Sequence, residues 1–223
     1  MRHSNPGHAF WMAAVALASA LAILPVTASA DEKPWQIGLA VASMNPGGSS
    51  VVVPETGEEF SYDSGSGVGF ALDLEYRVSR HFSVDFGVIS ASPSINATIG
   101  VQPLSVSASG DLRITPVFAA FEIHLISDSR VDLFIGPMLA YVRYNSFELV
   151  AGPELREEFN GGSDFGFGGV LGLDVGLGGG GWSLNAALRY LNTTLETSPN
   201  DGGDVGTTDI DPTIFSVGIG YRF

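Results

Sequence analysis

The sequence has no cysteine, so neither a disulfide framework nor a thiolate metal site is open to it. Bases are also scarce: 10 Lys+Arg stand against 24 Asp+Glu, for a formal charge of −14. A polyanion of this kind is a poor partner for nucleic acid, whose phosphates call for clustered bases. Beyond residue 30, no apolar run approaches the length of a membrane-spanning helix. If that part of the chain lies in a membrane, it must form a closed barrel, because an open sheet would leave backbone groups unpaired in hydrocarbon. What is abundant is glycine (29) and phenylalanine (14), a content too apolar and aromatic for a disordered chain. A single domain in 223 residues is the natural reading.

Residues 1–30 are set apart from the rest. Arg2, His3 and His8 precede the run AFWMAAVALASALAILPV, and Ala28-Ser29-Ala30 follows as a small-residue cleavage site, the layout of a cleaved secretory signal peptide. A retained membrane helix is the alternative, since the run is about 18 residues long; Pro25 and the adjacent A-x-A site speak against it. Removing residues 1–30 takes away Arg2 and no acid. That leaves 31–223 with 9 bases against 24 acids, a formal −15.

Eight segments of alternating pattern follow, at about 35–46, 66–78, 81–90, 111–126, 131–145, 164–177, 181–195 and 210–223. The joints between them are alternately short and long. VSRH (78–81), SDSR (127–130) and GGGG (178–181) are tight turns, whereas 47–65, 91–110, 146–163 and 196–209 read as long loops. An even number of antiparallel strands with tight turns at one end and long loops at the other predicts an all-β fold, an eight-stranded transmembrane β-barrel of outer-membrane type. The tight turns then face the periplasm.

The alternation also assigns faces. Trp182, Leu184, Ala186, Leu188 and Tyr190 share one face of their strand, and Ser183, Asn185, Ala187 and Arg189 the other. Phe215, Val217, Ile219, Tyr221 and Phe223 likewise oppose Ser216, Gly218, Gly220 and Arg222. The face opposite the bulky residues is glycine, alanine and charge, which suits a narrow lumen better than the core of a soluble sandwich. The last strand ends on Tyr221 and Phe223, which resemble the C-terminal signal read by the barrel-assembly machinery of bacterial outer membranes.

Several longer stretches carry a family resemblance. TTDIDPTIFSVGIGYRF (207–223), RITPVFAAFEIHLISDSRVDLFIGPMLAYVRYNSF (113–147), WQIGLAVASMNP and WSLNAALRYLNT together resemble the OmpW family. The acidic, glycine-rich loops at 47–65 and 146–163 depart from it. The resemblance implies a monomeric eight-stranded barrel that passes small hydrophobic solutes across the outer membrane. It implies entry from outside and sideways exit into the bilayer, because the lower lumen is plugged.

Counting inward residues from the periplasmic turns divides the lumen in two. The upper part holds Met44, Ile89, Phe118, Met138, Val142, Val170, Leu191 and Ile214, an apolar cup expected to open outward and to form the substrate path. The lower part holds Asp73, Glu75, Arg77, Asp85, Glu122, Asp174, Arg189 and Arg222, an ionic plug, with His81, His124, Asp132 and Asn185 beside it. Pairing of such charges is obligatory in any filled barrel and does not by itself imply transport. A bulge near Pro116 or Pro137 would exchange the faces above it and turn the cup outward.

Catalytic and ligand constellations are sparse. His81, Ser83 and Asp85 share one face and resemble in spacing the His-x-Ser pair of barrel lipid A deacylases, but adjacency along a strand is not triad geometry. Neither an H-x-x-x-H pair nor a carboxylate spacing marks a metal site, and the glycines near 166–169 precede no helix. No enzyme activity and no cofactor are expected. The acidic residues of the long joints, Glu55, Glu58, Glu59, Glu148, Glu154, Glu157, Glu158, Asp201 and Asp204 among them, read as solvated loop tips; contact with cation-bridged lipopolysaccharide or another surface partner is the alternative.

Overall fold

A computed structural model describes residues 33–52, 59–101, 104–127, 130–151, 155–178, 180–199 and 206–223. The proposed signal segment lies outside these residues, as do Glu55, Glu58, Glu154, Asp201 and Asp204. Among the described residues the chain forms sixteen strands. They are β1 (Trp35–Asn45), β2 (Ser49–Val52), β3 (Glu59–Ser64), β4 (Gly67–Ser79), β5 (Phe82–Ala91), β6 (Ser94–Val101), β7 (Leu104–Asp111), β8 (Ile114–Ser127), β9 (Val131–Tyr144), β10 (Phe147–Ala151), β11 (Leu155–Gly161), β12 (Ser163–Gly176), β13 (Trp182–Asn192), β14 (Thr194–Pro199), β15 (Gly206–Asp209) and β16 (Thr213–Arg222).

Eight of them close a barrel in the order β1-β16-β13-β12-β9-β8-β5-β4, and β4 pairs back onto β1. Each neighbour is antiparallel. The closing contact runs in unbroken register from Gln36↔Arg222 to Asn45↔Thr213 and is extended by Phe223 N–H donating to the Trp35 carbonyl at 2.8 Å. All eight barrel strands coincide with the segments of alternating pattern.

The long joints are a correction to the sequence reading. Each folds into a β-hairpin (β2/β3, β6/β7, β10/β11, β14/β15), and the hairpins join in a second eight-stranded sheet ordered β15-β14-β11-β10-β7-β6-β3-β2. Glu148 and Glu158 therefore face each other across a ladder instead of sitting on loops. Between the tiers every strand breaks once, at 46–48, 65–66, 92–93, 112–113, 145–146, 162, 193 and 210–212. Pro46, Pro93, Leu112 and Ile210 at these breaks are fully buried. Gly47 turns the chain at φ 81°, a left-handed conformation that favours glycine.

The outward face of the barrel is apolar along its height. Leu39, Leu72, Ile135, Leu171, Leu188 and Val217 are each about half exposed, which only a hydrocarbon solvent would favour. Aromatic side chains cluster at both ends of the strands. Trp35 packs on Tyr76 and Trp182 on Tyr221 (centroids 4.6 and 4.9 Å) near the tight turns, while Tyr141 meets Phe165 (5.1 Å) near the hairpins. Aromatic rings at this height fit the headgroup regions of a bilayer.

Candidate functional site: a lumen in two halves

Parity holds through both prolines. Pro116 pairs with Val142 and Pro137 with Gly169 without a register shift, so no face exchange occurs above them. The shifts fall instead at the tight-turn end, between Arg77 and Ser79 and between His124 and Ile126. Met44, Ile89, Phe118, Met138, Val142, Val170, Leu191 and Ile214 all point inward and are at most 3% exposed. This apolar half is not an open cup. Leu112, Ile114, Tyr144 and Ile210 join it from the level of the strand breaks, and the side chains interlock into a continuous buried cluster. Alternation shows direction but not how far side chains from eight strands reach across a narrow lumen, and here they meet.

Gly87 shows how tightly the halves abut. A Cβ there would stand 2.5 Å from the Phe118 ring, so only glycine leaves room for the phenyl group that floors the apolar cluster. The Arg189 guanidinium lies over that ring, 4.9 Å from its centroid, and begins the polar half. Its Nη1 donates to Ser216 Oγ at 2.9 Å and its Nη2 lies 3.7 Å from Asp85. Arg189 Nε and Asp85 Oδ1 are buried with no hydrogen-bond partner.

Below this level the charges form a network. Arg77 pairs with Glu75 (3.2 Å) and with Asp132, and Arg222 approaches Glu75 at 3.8 Å. Asp174 accepts from Gln36 at 2.8 Å and from Asn185 at 2.7 Å. Asp73 is half-buried, with its carboxylate over Gly38, where any Cβ would collide with it. Ser83 donates to Glu122 at 2.9 Å and lies 2.8 Å from His124 Nε2, while His124 Nδ1 faces Asp132 Oδ1 at 2.6 Å.

His81 is the exception among the lower residues. It sits exposed in the turn after β4, because the register shift at Arg77/Ser79 carries it off the inward face. The trio His81, Ser83, Asp85 is therefore not a unit, and the imidazole that meets Ser83 belongs to His124, one strand across. Gln36 is a lumen residue that sequence reasoning missed, whereas Ser183 and Ser216 lie on the inward face that the alternation assigns them. The inward parity of β1, which runs Gln36, Gly38, Ala40, Ala42, Met44, was the available signal for Gln36. Cavities open within the polar half. One of about 30 Å³ is lined by Asp73, Glu75, Asp85 and Glu122 among others, and one of about 120 Å³ at the tight-turn end by Arg130, Asp132, Trp182 and Arg222. Gln36 and Asp174 border both.

The closed eight-stranded ladder with an apolar exterior has a counterpart in sequence: residues 13–223 match the family model described as outer membrane protein beta-barrel domain. The chain belongs to that family. Within it, the chain is 26% identical over 216 residues to outer membrane protein W of Vibrio cholerae, covering 94% of this chain and 97% of the relative, so the OmpW resemblance stands. The crystal structure of OprG from Pseudomonas aeruginosa superposes with a TM-score of 0.63 at 17% identity, covering 86% of this chain and 97% of OprG. The crystal structure of the outer membrane protease OmpT of Escherichia coli superposes with a TM-score of 0.51 at 9% identity, covering 89% of this chain and 99% of OmpT. Such likenesses establish the fold alone, and one of these folds carries an enzyme. The protein is a barrel of the bacterial outer membrane.

Proposed function

We propose that this barrel is a passive conduit for small hydrophobic molecules, which enter the upper lumen from outside and leave sideways into the bilayer above the ionic plug. The observation that carries this reading is the division of the lumen at Phe118 and Arg189, apolar above and charged below. A hydrophobic solute gains by replacing contacts with Met44, Met138 and Leu191 but would have to desolvate paired charges to go lower. Met44 and Met138 suit such a path, since unbranched thioether side chains repack at small cost.

A sideways route is supported by the wall beside Ile89. Pairing of β5 with β8 runs from Phe82↔Ile123 to Val88↔Val117 and resumes only at Ala91↔Ile114. Pro116 lies in the interval and offers no N–H, and a 3.4 Å contact between the Ser90 and Thr115 hydroxyls spans it.

Catalysis is not part of the proposal. Ser83, His124 and Asp132 stand in the order of a hydrolytic relay, but Ser83 has no exposed surface and its hydroxyl is held by the Glu122 carboxylate. That carboxylate would repel an oxyanion where donors are required. Lipopolysaccharide and outer-membrane lipids are the proposed surroundings, Tyr221 and Phe223 the proposed mark for the assembly machinery, and residues 1–30 the proposed export signal.

The close packing of the upper lumen favours a second reading, a structural or surface-interaction barrel whose acidic hairpins meet lipopolysaccharide, host or phage. Uptake of a radiolabelled alkane or aromatic hydrocarbon by cells expressing the protein decides between them. A rise for wild type that Met138→Asp, Leu191→Asp loses at equal insertion supports the conduit; baseline uptake in both leaves the surface reading.

A further inference from the structure

The buried polar half contains a charge imbalance that its own side chains do not resolve. Among the described residues, Asp73, Glu75, Asp85, Glu122, Asp132 and Asp174 outnumber the cationic groups around them: Arg77, Arg189 and Arg222, Arg130 at the tight-turn end, and the His124 imidazole. Within this group Glu75, Glu122 and His124 bring one carboxylate oxygen each and one ring nitrogen to within 4.8 Å of one another. All three are buried. Asp85, itself 4% exposed, lines the same 30 Å³ cavity as Glu75 and Glu122 and has an oxygen with no partner.

We propose that Glu75, Glu122 and His124 form a binding site for a divalent transition-metal cation of the zinc class, with Asp85 as an additional or alternative oxygen ligand. Two carboxylates and an imidazole are a donor set for such a cation, and three protein ligands leave a position for water. The ring is already oriented for it. Nδ1 faces Asp132 Oδ1 at 2.6 Å, with Arg77 Nη2 at 3.2 Å, and Nε2 points at Ser83 Oγ (2.8 Å) and Glu75 Oε1 (3.6 Å), both acceptors once Ser83 donates to Glu122, so a bound cation takes the place of a proton on Nε2. A carboxylate holding the far nitrogen of a ligating histidine is the usual second support of metal sites. On metal binding Ser83 gives up its contact with Nε2 and keeps the one to Glu122.

The cation would reach the site from the tight-turn end, through the 120 Å³ cavity and past Gln36 and Asp174, which border both cavities. Glu75 lies on β4 and Glu122 and His124 on β8, with β5 between them, so a bound ion would clasp three adjacent strands at the floor of the lumen. The site does not depend on the conduit reading above it.

The test uses the full barrel refolded in detergent and titrated with zinc alone. One zinc per barrel is expected, with X-ray absorption showing one imidazole and oxygen ligands at about 2.0–2.2 Å. Beyond residue 30 the only histidines are His81 and His124, so the imidazole signal can be assigned: His81→Gln keeps it and His124→Gln loses it. Glu122→Gln weakens binding, and Asp132→Asn, a positioning change, lowers affinity by about 10–100-fold. Wild-type protein without an imidazole-bound zinc, or equal binding by His124→Gln through the surface acids, would overturn the site even if a variant failed to refold.

Discussion

Arg189 allows the energetics of the lumen to be tested directly. Its guanidinium is 4% exposed, stacks on Phe118, donates to Ser216 and is the nearest cation to Asp85, one of whose oxygens has no hydrogen-bond partner. Arg189→Met keeps most of the volume and removes the charge. Three losses follow: the stacking contact, about 1–2 kcal/mol when desolvated; a charge-assisted hydrogen bond, partly replaced by the Ser216 contact to the Ala187 carbonyl; and the compensation of Asp85. The last dominates, because stranding one member of a buried pair costs about 3–5 kcal/mol. Arg189→Met, Asp85→Leu removes both charges and should recover most of that, since replacing a buried pair by apolar residues is often neutral or stabilising. The assay is equilibrium urea unfolding of the refolded barrel in lipid vesicles, followed by tryptophan fluorescence. A single-mutant loss under about 1 kcal/mol, or a double mutant less stable than the single one, would refute the account of a charge held in place by its partner.

Two further outcomes follow from the wall of the barrel. Leu171→Arg, mid-strand on β12 and pointing outward, should cost about 2–4 kcal/mol in a bilayer, read by the same unfolding assay; a neutral result would mean the face does not meet lipid. Pro116→Ala supplies an N–H where the β5–β8 pairing lapses and should add about 1 kcal/mol of stability. If solutes leave sideways there, hydrocarbon uptake falls as the ladder closes; unchanged uptake would place the exit elsewhere.

The barrel strands were legible because a strand with lipid on one side and a lumen on the other must alternate at period two, and Phe215, Val217 and Ile219 against Ser216, Gly218 and Gly220 do so without exception. The hairpin tier was not legible. Its strands are short and rich in Gly, Ser and Thr, and their backbone is satisfied by neighbouring hairpins distant in sequence, as where Phe60 pairs with Ile99. Composition of that kind reads as loop until the partner is known.

Away from the turn irregularities, which residues face inward was decided by the chain alone, since parity is local. Which of them meet was decided by register and by turn irregularities. Counting from the turn put His81 beside Ser83, but the shift at Arg77/Ser79 removes His81, and the pairing of Ser83 with Glu122 puts His124 in reach instead. The same holds at the upper end, where eight inward apolar residues could have lined a vestibule. Their closure into a packed cluster depends on the narrow bore of an eight-stranded ring and on the prolines and aliphatic residues at the strand breaks, a property of circumference that no single strand contains.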